Sequence, residues 1–156
     1  MVELKVGSMA PDFTVLDDSG EKLGLSSLAG KKIVLYFYPK AGTPGCTTEA
    51  CSFREEMPRI EAAEATVLGA SPDPVNRVAK FKQKYELPFT LLADEDHALA
   101  EKYGVWVEKT NYGKTYMGVE RTTFVIATDG RIASIFRKVK VNGHTEEVLA
   151  ALKKIS

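Results

Sequence analysis

Apolar residues in this chain fall into two patterns: short dense runs, and stretches in which they recur every three or four positions. Strands buried in a sheet alternate in this way with helices that show it one face. The segment Asp12-Phe13-Thr14-Val15-Leu16, the turn Asp17-Asp18-Ser19-Gly20 and a short partner at Lys22 to Leu25 read as an N-terminal hairpin. Lys32 to Tyr38 is the first strong strand and Thr66 to Ser71 the second. Between them Pro44, behind Thr43, marks a helix start, and Ser52 to Ala65 continues as a charged helix that Pro58 is expected to kink or interrupt. After the loop Ser71-Pro72-Asp73-Pro74, a helix from Val75 to Tyr85 carries Val78, Phe81 and Tyr85 on one face.

The second half is more broken. Leu91-Leu92-Ala93 is a short apolar segment, Glu95 to Tyr103 a short helix stopping at Gly104, and Val107 to Val119, polar and glycine-containing, a long loop or weak strand. Thr122 to Ala127 and Arg131 to Arg137 are strands joined by Thr128-Asp129-Gly130, a strong hairpin signal, and a helix from Thr145 to Lys154 closes the chain. Alternating strands and helices followed by a hairpin predict an α/β fold with a central mixed sheet covered on both faces. One domain over residues 1–156 is expected, since no repeat, low-complexity tract or linker interrupts the pattern.

Composition narrows the class. The chain has 156 residues, 44% of them hydrophobic, which is enough for a sizeable core, and its 21 basic residues balance 21 acidic ones. A nucleic-acid or membrane-surface binder would show a basic excess or a basic face, so neither partner is expected. No stretch has the length of a membrane span, and the start Met1-Val2-Glu3-Leu4-Lys5 lacks the plan of a signal peptide. The expectation is a soluble cytoplasmic protein. In a reducing compartment two cysteines serve catalysis, redox sensing or packing more often than they form a structural staple.

Those two cysteines, Cys46 and Cys51, follow the first strong strand directly, in the segment from Pro39 to Cys51 that also holds Gly42, Thr43, Pro44 and Gly45. Cys46 therefore falls in the first helical turn, where unpaired N–H groups and the positive end of the helix dipole favour a thiolate. Five residues along a regular helix set two Cα atoms about 8.7 Å apart. A disulfide spans roughly 4.4 to 6.8 Å. A bond between this pair would require the first turns to unwind, so reduced and oxidised forms should differ locally.

The pattern Pro39, Thr43, Cys46 resembles the active-site signature of the peroxiredoxins, thiol peroxidases on an elaborated thioredoxin fold. Cys51 in the same helix resembles their PrxQ or bacterioferritin comigratory protein subfamily, and Gly118-Val119-Glu120-Arg121-Thr122-Thr123-Phe124 is similar to a family segment whose arginine reaches the active site. The likeness runs from Gly7-Ser8-Met9-Ala10-Pro11-Asp12-Phe13 to the last helix. It implies a thioredoxin-like fold with an N-terminal β extension, and a peroxidase acting on hydrogen peroxide or alkyl hydroperoxides without a cofactor or metal. Cys46 would be the peroxidatic nucleophile and Cys51 the resolving thiol. Arg121 and Thr43 would hold the peroxide oxygens, and Pro39 would wall the pocket. An intramolecular Cys46–Cys51 disulfide would then be reduced by thioredoxin or a similar dithiol, and the protein would be a monomer or weak dimer.

Plainer readings stand beside these. Thr43-Pro44 is also an ordinary helix start, Cys51 shares an apolar face with Ala50, Phe53 and Met57, and Arg121 at a strand entry is by default a surface charge. Glu49 could compensate the dipole, cap the helix or touch the loop. Trp106, Tyr112 and Tyr116 read as packing or loop residues, and His97 and His144 as exposed ones. A disulfide oxidoreductase is a competing function, although its cysteines usually stand two residues apart and four separate these. A metal module would need Cys46 and Cys51 with His97 or His144, in a spacing that matches no common zinc pattern. A redox-sensing holdase would bind its partner only after oxidation.

Overall fold

A computed structural model describes residues 4–155. Seven strands form one mixed sheet: β1 (Thr14–Asp17), β2 (Lys22–Gly24), β3 (Lys32–Phe37), β4 (Ala65–Ser71), β5 (Thr90–Ala93), β8 (Thr122–Ile126) and β9 (Ile132–Phe136). Their spatial order is β2-β1-β5-β4-β3-β8-β9. The parallel trio β3, β4 and β5 is the centre, and antiparallel partners close both edges. The N-terminal hairpin β1–β2 is the β extension and docks on β5.

Strand β3 is buried on both faces, and its alternation splits the core. Val34, Tyr36 and Tyr38 face the layer of α1 (Pro44–Ala62), α2 (Val75–Tyr85) and α4 (His144–Lys153), whereas Ile33, Leu35 and Phe37 face that of α3 (Ala98–Lys102). Tyr36 has one route to this packing. Its ring lies over β4, where a Cβ on Gly69 would come within 2.7 Å of it, and it stacks on Phe53 of α1 with ring centroids 4.7 Å apart. Gly69 is thus the position that lets the aromatic layer meet the sheet.

Two expectations are corrected. Helix α1 is not interrupted at Pro58 but continues through it from Pro44 to Ala62. Pro58 lies on the exposed side, where the carbonyl it cannot serve has access to water, while Phe53, Met57 and Ile60 stay buried on the other. The segment from Val107 to Val119 belongs to a regular hairpin, β6 (Trp106–Asn111) with β7 (Lys114–Val119). It turns at Tyr112 and Gly113, whose φ values of 52° and 76° are those of a type I′ turn. Its faces are largely exposed, so the two-residue alternation that reveals a half-buried strand is missing.

Candidate active site

The site begins where β3 ends. The loop from Tyr38 to Thr43 leads into α1 with Thr43 as N-cap, so Cys46 is the third residue of the helix, 2% exposed, beside the N–H groups that carry the dipole's positive end. Cys51, the eighth residue, is half-buried at the start of the third turn, and both thiols are free. A regular helix joins them, which leaves the Cα atoms about 8.7 Å apart.

Arg121 reaches Cys46 from the neighbouring strand, since Thr122 at the start of β8 pairs with Phe37 at the end of β3. It lies in the two-residue link between β7 and β8, whose backbone is tied down by Glu120 N–H donating to Val105 O at 2.8 Å and Val139 N–H donating to Arg121 O at 3.0 Å. Its Nη2 stands 3.3 Å from Cys46 Sγ, and its Nη1 donates to Glu49 Oε1 at 2.6 Å. Gly45 makes room for this approach, since a Cβ there would sit 3.3 Å from Nη2. The residue that reads by default as a surface charge is therefore a half-buried one whose guanidinium fork bridges thiol and carboxylate.

Glu49, whose place the sequence left open, meets Arg121 inside the site. It follows Cys46 by three positions and so shares its helix face. It is 1% exposed, and its Oε2 makes no hydrogen bond among the described residues. Burial pushes its carboxyl up to about 7, with the Arg121 charge and hydrogen bond pulling part of the way back. The signal available beforehand was only the three-residue spacing. Lys109 of β6 was also missed; burial and the Arg121 charge lower its pKa, and it is close enough to feel Cys46 as well.

A carboxyl whose pKa rises from 4.5 to about 7 on folding stabilises the fold fully below 4.5 and loses that contribution as pH climbs to about 7, because the unfolded chain gives up its proton first. Asp94, buried and lifted to about 6, adds to the same slope. Urea unfolding at about pH 5 and about pH 8 should show a drop in stability that shrinks by on the order of 2 kcal/mol in Glu49→Gln. Equal drops in both proteins would mean that Glu49 stays ionised throughout.

Thr43 and Pro39 lie in the loop that leads into the helix of Cys46. The Thr43 hydroxyl donates to Lys40 O at 2.9 Å, which leaves its lone pairs as acceptors, and Pro39 is half-buried one residue after Tyr38. The histidines are elsewhere. His144 is buried, not exposed, with Nε2 2.8 Å from Thr123 Oγ1 and its ring edge-on to Phe53 and Phe136. His97 stacks on Trp106 with ring centroids 4.0 Å apart. Among the described residues no three His, Cys, Asp or Glu side chains form a group that could hold a metal ion, and no helix is long and apolar enough to cross a membrane.

Residues 6–135 match the AhpC/TSA family. Peroxiredoxin Bcp of Bacillus subtilis is 50% identical over 153 residues, covering 98% of each chain. The chain is a peroxiredoxin of the PrxQ/BCP subfamily. Among solved structures, a cysteine-to-serine mutant of Xylella fastidiosa PrxQ superposes with a TM-score of 0.92 at 37% identity, over 99% of this chain and 98% of that one. The bacterioferritin comigratory protein of Xanthomonas campestris, solved in work on its alkyl peroxide reduction activity, gives a TM-score of 0.87 at 41% identity over 91% of this chain and 90% of that one. Membership makes this peroxiredoxin a thiol-dependent peroxidase and confirms the thioredoxin-like architecture of its sheet and helices.

Proposed function

We propose that this peroxiredoxin reduces hydrogen peroxide and organic hydroperoxides through Cys46. The carrying observation is the bridge from Cys46 Sγ through Arg121 to Glu49 at a helix N-terminus. The Cys46 thiolate attacks the nearer peroxide oxygen, the O–O bond breaks, and the departing alkoxide, or hydroxide from hydrogen peroxide, takes a proton from solvent to leave as alcohol or water. Arg121 holds a cation where that charge develops, and the Thr43 lone pairs accept from the peroxide hydroxyl. Pro39 shields the loop side of the pocket. The Cys51 thiol then attacks the sulfenic acid, releasing water and forming the disulfide, and an external dithiol such as thioredoxin returns both thiols by exchange. These steps suit a reducing cytoplasm.

Disulfide formation moves the helix start. Phe53 is fully buried against Tyr36 and Phe89, so unwinding is confined to the turns before it. A single turnover of the reduced protein with one equivalent of hydrogen peroxide, read by intact mass, should remove two hydrogens from the wild type and add one oxygen to Cys51→Ser. Hydrogen exchange over residues 43–52 should rise on oxidation while the amides beyond Phe53 stay protected. An unchanged wild-type mass would overturn the reading.

A further inference from the structure

The geometry points to Asp73 as a positioning residue for the peroxidase site, a role that rests on the reading above. The loop carrying Pro39 and Thr43 is anchored at its start, where Tyr38 N–H donates to Ala70 O at 3.0 Å, but has little to hold it beyond that. Its internal hydrogen bonds are local ones onto Lys40 O, and Gly42 takes a φ of +87°. Asp73 supplies a tether from 32 residues away: its Oδ2 accepts the Ala41 N–H at 2.8 Å.

The fold explains how it reaches. β3 and β4 are parallel neighbours paired Phe37 to Ala70, so the loops leaving their C-terminal ends rise side by side. Asp73 stands between Pro72 and Pro74, and a following proline restricts the residue before it to extended backbone. Its other oxygen, Oδ1, is 3.4 Å from Arg77 Nη1 one turn into α2. Asp73 itself is 3% exposed and Ala41 8%, so neither the carboxylate nor the N–H it receives has water as a ready substitute.

Ala41 lies two residues from Pro39 and two from Thr43. Fixing its amide fixes the loop on both sides and, through Thr43 as N-cap, the approach to Cys46. In-line attack on a peroxide tolerates little displacement of the groups around it. Alkylation of the same thiol by iodoacetamide makes no use of Thr43, so the two reactions separate loop positioning from thiol access.

The test uses a Cys51→Ser background and measures both rates for Cys46. Asp73→Ala should slow oxidation by hydrogen peroxide at least tenfold and change alkylation less than twofold. Asp73→Asn, which keeps an acceptor for the Ala41 N–H, should restore oxidation to within threefold of the parent. Oxidation within twofold in Asp73→Ala, a parallel fall of both rates, or Asp73→Asn as slow as Asp73→Ala would each overturn the assignment. Should Asp73→Ala not fold, Asp73→Ser takes its place in the same pair of rates; loss of fold in both would make Asp73 a folding determinant instead. A parent that does not react with peroxide at all would refute the peroxidase reading itself, which separates the two failures.

Discussion

Cys46→Ser should consume no peroxide, and intact mass should show the protein unchanged after exposure to one equivalent. The reaction needs a nucleophile that is anionic near neutral pH, and a serine hydroxyl beside the same guanidinium is not. Sterically the change is small, and although Cys46 belongs to the buried layer that holds Val34, Tyr36 and Phe53, the serine hydroxyl keeps the Arg121 guanidinium as a partner, so the variant should stay folded. The contrast is Cys51→Ser, which should still react once and stop as the sulfenic acid. Oxidation of Cys46→Ser at the wild-type rate would shift the chemistry to Cys51 and undo the assignment of both thiols.

Arg121→Ala should lower the rate of Cys46 oxidation by about a hundredfold, the loss of roughly 3 kcal/mol that follows removal of one donor aimed at developing charge. Two functions go together in this side chain. It places a cation 3.3 Å from the thiol sulfur, and it partners a carboxylate that is otherwise almost fully buried. Removing it strands Glu49, and an unpaired buried charge is strongly destabilising. Because burial already lifts Glu49 to about 7, the stranded carboxyl escapes by taking a proton, so the variant should lose more stability at about pH 8 than at about pH 5. Adding Glu49→Gln should recover that stability and leave the rate depressed. A fall in rate of less than threefold would mean that the cation is not what stabilises the departing oxygen.

The strands and helices around the site were legible because burial leaves a periodic trace. Ile33 to Tyr38 is apolar along its length since β3 has cover on both faces, and Val78 and Phe81 recur at helical spacing since one side of α2 meets the core. The hairpin β6–β7 left no such trace, with Tyr112 97% exposed at its tip and polar residues on either face. Pro58 misled for a related reason. Proline interrupts a helix when its missing hydrogen bond and its ring have no outlet, and the exposed side of a helix anchored by Phe53 and Ile60 offers one.

What the sequence determined by itself was local: a cysteine three residues past an N-cap threonine, a second thiol too far along a regular helix to bond without unwinding, and an arginine at the entry to a strand. Each follows from chain geometry within a few residues. The tertiary structure alone decided which distant groups meet: Arg121 with Cys46 and Glu49, His144 with Thr123, and Asp73 with the amide of Ala41. Those contacts join residues 21 to 75 positions apart, and the sheet order that places β3 between β4 and β8 creates them. Hydrophobic periodicity records which face of an element is buried but not which element covers it, so a buried carboxylate and a surface one look alike until the chain has folded.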